Sequence, residues 1–123
     1  MNGPVAQHVA ALLQAILETA ASTLRGRGED AHAFLTDADP DTLVSLEVGR
    51  DGGNWQRNLI IAIEPAEHGW VVDARITDDE HLTVAQIGRV EAGGDELGEV
   101  ALAIARAGTG RLLTELGLAV AAA

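Results

Sequence analysis

Three short stretches that alternate apolar and polar residues, separated by turn-forming residues, constrain this chain more than any other feature. Val44, Leu46 and Val48 alternate with Ser45 and Glu47. Leu59, Ile61 and Ile63 alternate with shorter or polar neighbours, and Trp70, Val72, Ala74 and Ile76 alternate with Asp73 and Arg75. Successive side chains of an extended strand point to opposite faces, so each stretch reads as a strand with one buried face. Asp51-Gly52-Gly53-Asn54 separates the first two, and Glu64-Pro65-Ala66-Glu67-His68-Gly69 separates the second and third. Both segments are rich in residues that form turns or tolerate positive φ.

Register follows from pattern, because a slip of one residue sends every side chain to the other face. Pairing Leu46 with Leu59 and Val44 with Ile61 gathers large apolar residues on one side. Pairing Ile61 with Val72 and Ile63 with Trp70 does the same and leaves a loop over 64–69.

Segment 5–25 reads as a helix. Val5, Val9, Leu12, Leu13, Ile16, Leu17, Ala20 and Leu24 recur at three- and four-residue spacing, with Pro4 suited to the first turn and Arg25 to the last. Thr83, Val84, Ile87 and Val90 favour a strand over 82–90 by β-branching, although Thr77-x-x-Glu80 also fits a helix capping box. After Gly93-Gly94 a helix over 95–107 presents Leu97, Val100, Ala101, Ile104 and Ala105 on one face. Gly108-Thr109-Gly110 should break it, and Leu112, Leu113 and Leu116 give a second helical piece. The expectation is one α+β domain over 1–123: an N-terminal helix, an antiparallel meander of about four strands, and a C-terminal helix or helix pair on one sheet face.

Composition narrows the functions open to such a domain. Trp55, Trp70 and Phe34 are all the aromatic rings, so the core must be aliphatic and no stacking platform for single-stranded nucleic acid exists. Formal net charge is −11, and the eight basic residues are all arginines spread singly along the chain. Such a chain repels phosphate backbones, which argues against nucleic acid. Its acidity suits a basic protein partner steered in by charge, or reflects a general habit of the source. There is no cysteine, which excludes disulfides, thiolate metal sites and a cysteine nucleophile. No run of about 18 apolar residues is present, so no membrane span is expected. The apolar stretch after Met1-Asn2-Gly3-Pro4 lacks the preceding positive charge of a secretory leader, which gives the expectation of a cytoplasmic location.

No catalytic or metal-binding pattern stands out. Asp37-Ala38-Asp39-Pro40-Asp41 opens like a calcium loop, but Thr42 and Val48 occupy the positions that need glycine and glutamate. It reads better as an acidic turn leading into a strand. His68 and His81 fall on separate loops and lack metal-ligand spacing. Ser22 and Ser45, the only serines, lie outside any nucleophile elbow, and the glycine pairs lack the lysine of a phosphate loop. No cofactor is implied, and the reading leans away from an enzyme.

The face opposite the core is less polar than a solvated face should be. It carries Leu43, Ile60, Ala62 and Val71, bordered by Ser45, Glu47, Asn58, Asp73 and Arg75, as a partner or dimer interface would. The plain alternative is that helix 95–107 or a fourth strand covers it. Trp55, beside the glycine-rich turn, is a further candidate contact, whereas Trp70 belongs with the core.

In layout and charge, though in no motif, the chain resembles secretion-type chaperones and toxin-neutralising immunity proteins. The expectation is a small acidic adaptor, chaperone-like protein or inhibitor, homodimeric, that binds a basic protein through this outer face. Leu43, Ile60, Ala62 and Val71 would make apolar contacts while Glu47 and Asp73 steer the partner. The competing reading is a small-molecule binder or enzyme whose pocket lies between the sheet and the C-terminal helices, near Trp70, Arg57 and Arg75.

Overall fold

The computed structural model describes residues 4–38, 41–50, 52 and 54–118. Residues 1–3, Asp39 and Pro40 of the calcium-like segment, Asp51 and Gly53 of the first turn, and the end of the apolar tail (119–123) lie outside the described residues. Helix α1 spans Pro4–Gly26, and strands β1 Asp30–Ala38, β2 Asp41–Arg50, β3 Trp55–Ala66, β4 Gly69–Asp78 and β5 Thr83–Ala92 follow. Helix α2, Leu97–Glu115, closes the chain. The strands form one antiparallel sheet in the order β1-β2-β3-β4-β5.

Both helices pack on the same sheet face, α1 over β1 and β2, and α2 over β3, β4 and β5. The spacing of Val9, Leu13, Leu17 and Leu24 turns one stripe of α1 onto Val44, Leu46 and Val48. Leu97, Ala101, Ile104 and Leu112 of α2 pack on the side that holds Leu59, Ile61, Ile63, Val72 and Ile76. The core is aliphatic, as the scarcity of rings requires. Both helices end with the same backbone pattern, Glu29 N–H to Leu24 O at 3.0 Å and Leu118 N–H to Leu113 O at 2.9 Å, which satisfies carbonyls that a helix end leaves open.

The register of β2 on β3 is the one the alternation predicts, with Leu46 opposite Leu59 and Val44 opposite Ile61. Strand β5 is likewise a strand. Three features differ from expectation. The sheet has five strands, because residues 30–38 form β1. Its core-side positions begin with the small Ala31 and Ala33, and the next, Leu35, is exposed, so its alternation carries little hydrophobic contrast.

Strand β4 is shifted by two residues from the expected pairing, with Ile61 opposite Ala74 and Ile63 opposite Val72. The same side chains face the core, and the hairpin tightens until Ala66 pairs with Gly69. Gly69 permits this: its φ is 147°, and a Cβ there would lie 2.5 Å from Ala92 O. Pro65 lies two residues beyond Ile63, whose pair with Thr42 is the last β2–β3 pair among the described residues.

Finally, α2 runs unbroken through Gly108 and Gly110. Gly108 is fully packed against Leu59, so this glycine lets the helix approach the sheet instead of ending it.

Candidate functional site

Among the described residues no helix or strand covers the second face of the sheet. Its residues form rows across the strands. Phe34, Ser45, Ile60, Arg75 and Gln86 make one row, and Thr36, Leu43, Ala62, Asp73 and Arg89 the next. His32, Glu47, Asn58, Thr77 and Thr83 form a third.

The half of this face over β3–β5 is closed by its own side chains. Asn58 Nδ2 donates to Thr77 Oγ1 at 3.2 Å, and Asn58 Oδ1 accepts from Gln56 Nε2 at 2.8 Å. Asp73, only 8% exposed, accepts from Gln86 Nε2 at 2.9 Å and lies within 4.0 Å of both Arg75 and Arg89. Arg89 also pairs with Glu64 at 3.0 Å, and this carboxylate raises the arginine pKa above its ordinary value. Ala62 and Val71 are buried among these groups. A buried carboxylate so surrounded is neutralised locally, which leaves Asp73 little charge to offer a partner.

The half over β1–β3 is different. Leu43 and Ile60 floor a hollow of about 100 Å³ walled by Thr36, Ser45, Glu47 and Asn58. His81 lines it from the turn between β4 and β5. That turn is fixed by Asp78 Oδ1, which accepts from Glu80 N–H at 2.9 Å and Leu82 N–H at 3.0 Å. His81 takes φ 63°, a left-handed conformation that asparagine, aspartate and histidine adopt more readily than other side chains. Phe34, 44% exposed, stands beside the hollow in the same row as Ser45 and Ile60. Among the described residues, the acidic ones on this half are Asp30, Asp41 and Glu47, and none is an arginine, since Arg75 and Arg89 belong to β4 and β5.

Of the seven residues expected to contact a partner, Leu43, Glu47, Ile60, Ala62, Val71 and Asp73 therefore share the outer face. Trp55 does not: it packs against the core, with the guanidinium groups of Arg57 and Arg50 at 4.7 Å and 5.2 Å from its ring. Arg50 also donates through Nε to Glu29 at 2.7 Å and 2.6 Å, and through Nη2 to Leu116 O at 2.7 Å. Phe34 and His81 complete the exposed site. Their signal in the sequence was faint, because it depends on β1 being a strand and on the turn folding over the face.

Between the sheet and α2, where a ligand pocket was the competing expectation, the middle is closely packed, and an open hollow of about 330 Å³ lies at the β5 side, lined by Ala85, Gln86, Ile87, Ala107 and Arg111. Beyond the contact of Gly108 with Leu59, a Cβ on Gly88 would meet Ile104 Cδ1 at 3.4 Å. Arg57 and Trp70 lie at opposite ends of the sheet and Arg75 on its other face, so the three do not converge. Another hollow of about 270 Å³, beside the β3–β4 turn, is lined by Glu67, His68, Trp70 and Glu91. Among the described residues, no three His, Cys, Asp or Glu side chains are placed to hold a metal ion. Nor is any described helix long and apolar enough to cross a membrane.

Comparison with models of known families, with characterised proteins and with solved structures finds no significant match.

Proposed function

We propose that this chain is a small acidic protein-binding module, of the adaptor, chaperone-like or inhibitor kind, which binds a basic protein through the outer face of its sheet. One observation carries the reading. Both helices lie on one face, while the other presents Phe34, Leu43 and Ile60 at or beside a hollow whose lining includes the Glu47 carboxylate. An apolar centre with a charged rim is the common anatomy of a protein interface. Net charge of −11 and the concentration of Asp30, Asp41 and Glu47 on the open half favour an arginine- or lysine-bearing partner.

Self-association through the same face, the other expectation from the sequence, sets these carboxylates of two copies against each other. A heterologous basic partner meets no such repulsion.

Photo-crosslinking tests the reading. A crosslinker replacing Ser45 on the outer face should capture a discrete basic protein, and the yield should fall as salt is raised. A crosslinker replacing Ala11 on the exposed side of α1 should not. Equal capture from both positions, or capture only of a second copy of this chain, would contradict the proposal.

A further inference from the structure

We propose that the chain forms a symmetric dimer through the outward side of its helix layer, with the N-terminal halves of two α1 helices packed antiparallel. Such a dimer leaves both outer sheet faces free for the basic partner and does not depend on that partner.

Helix α1 carries more large apolar side chains than the sheet covers. Leu13, Leu17 and Leu24 turn inward, whereas Val5, Leu12 and Ile16, roughly 100° further round the axis, stay more than a third exposed. Val9 lies at the border of the two stripes. Val5, Val9, Leu12 and Ile16 follow one another at spacings of four, three and four, the repeat of a coiled-coil seam. Past Ile16 the apolar surface continues into a hollow of about 160 Å³ between α1 and α2, lined in part by Ala20, Thr23, Thr109 and Leu113.

Charge selects the occupant. Each helix sums to zero: α1 holds Glu18 and Arg25, and α2 holds Glu99, Glu115, Arg106 and Arg111. The whole formal charge of −11 therefore lies outside the two helices, and two copies repel one another least through this layer. Glu18 and Arg25 pair with each other, and Arg25 also donates to Ala31 O at 2.7 Å over β1, on the flank of α1 away from the stripe. Residues 4–17 carry no Asp, Glu, Lys or Arg. A basic partner finds no carboxylate there. A bilayer surface calls for basic residues beside an apolar stripe, and this stretch has none.

The stretch is also self-complementary. Antiparallel packing about a two-fold axis level with Ala10 and Ala11 sets Val5 of one copy against Ile16 of the other, and Val9 against Leu12. Each contact then occurs twice, as an isologous interface requires. The uncharged residues 4–17 meet their own copy from end to end.

Sedimentation equilibrium of the full chain at pH 8, where histidine is neutral, reads the assembly directly. The mass should rise with concentration from 12.8 kDa to twice that value and stop there. One helix pair with its flanks is at the small end of specific interfaces, so the midpoint should fall in roughly the micromolar range. Leu12→Glu and Ile16→Glu should each weaken dimerisation at least about tenfold while the chain stays folded by circular dichroism. Ile60→Glu, on the outer sheet face, should leave it unchanged. Because the chain has no cysteine, Val5→Cys and Ile16→Cys report the orientation. Under mild oxidation of a mixture they should join to each other in preference to like with like.

A monomer at every concentration would overturn the proposal, as would a dimer that survives both Leu12→Glu and Ile16→Glu. Preferential joining of like with like would also overturn it, since the helices would then run parallel. A dimer lost only in Ile60→Glu would move self-association to the sheet face and contradict the partner reading as well. A monomer that still yields a basic protein on crosslinking at Ser45 would remove the dimer and leave that reading standing.

Discussion

The side chain of Leu59 occupies the space that any side chain at residue 108 would need: a Cβ on Gly108 would lie 2.6 Å from Leu59 Cδ1 and 3.1 Å from Cδ2. This contact sets how close α2 lies to the sheet. It also explains why a residue that ordinarily weakens a helix interior sits at the middle of one.

Gly108→Ala should therefore destabilise the fold by about 1–3 kcal/mol, the range for overpacking a filled core, even though alanine favours the helix. Gly110→Ala is the matched control. A Cβ there meets nothing within 4 Å, and its φ is not positive, so the variant should gain about 0.5–1 kcal/mol. Urea unfolding of both variants checks the pair, and equal effects would contradict the contact.

Arg50 ties three parts of the chain together: it bonds the Glu29 carboxylate, caps the carbonyl of Leu116 beyond α2, and lies over Trp55. Glu29 is only 11% exposed, so Arg50→Met leaves a largely buried carboxylate without this donor. The expected loss is about 1.5–3 kcal/mol in the same unfolding assay, the usual range for a hydrogen bond to a charged group. Glu29→Gln keeps an acceptor for Arg50 and should cost less.

Glu18 lies on the surface of α1, where the hydrogen bond from Arg25 at 2.7 Å, aided by its charge, holds the glutamate carboxyl below its ordinary value. A group whose pKa is depressed in the folded state contributes stability that is present above the unfolded value and lost as pH falls through the folded value. An NMR titration of the Glu18 side chain should give a midpoint below that of an ordinary glutamate. In Arg25→Gln the midpoint should rise back toward it. A midpoint unchanged between the two proteins would contradict the pair.

The sequence revealed the fold wherever burial leaves contrast between neighbours. Val44, Leu46 and Val48 against Ser45 and Glu47 determine both the strand and its register on β3, because a one-residue slip would bury the polar set. The two-residue shift at Trp70 keeps every side chain on its own face, so hydrophobic pattern cannot tell the two pairings apart. The shift depends instead on the positive φ of Gly69 and its fit against Ala92.

Strand β1 was hidden because Ala31 and Ala33 face the core and Asp30, His32 and Asp37 flank them, a mixture that resembles a loop. With β1 went Phe34, an exposed ring of the outer face. Gly108 misled for the opposite reason: a glycine used for close packing has the same letter as one that ends a helix. Leu43, Glu47 and Ile60 were assigned to the outer face correctly, since period-two placement is all that assignment needs.

The most direct test of the outer-face account compares Ile60→Glu with Leu12→Glu, each measured for affinity toward the protein captured by crosslinking at Ser45. Leu12, 51% exposed on α1, is an equally apolar surface residue away from the proposed site. The account predicts that both variants fold and that Ile60→Glu alone weakens binding, by at least about tenfold. Undiminished binding by Ile60→Glu, or equal losses in the two variants, would contradict it.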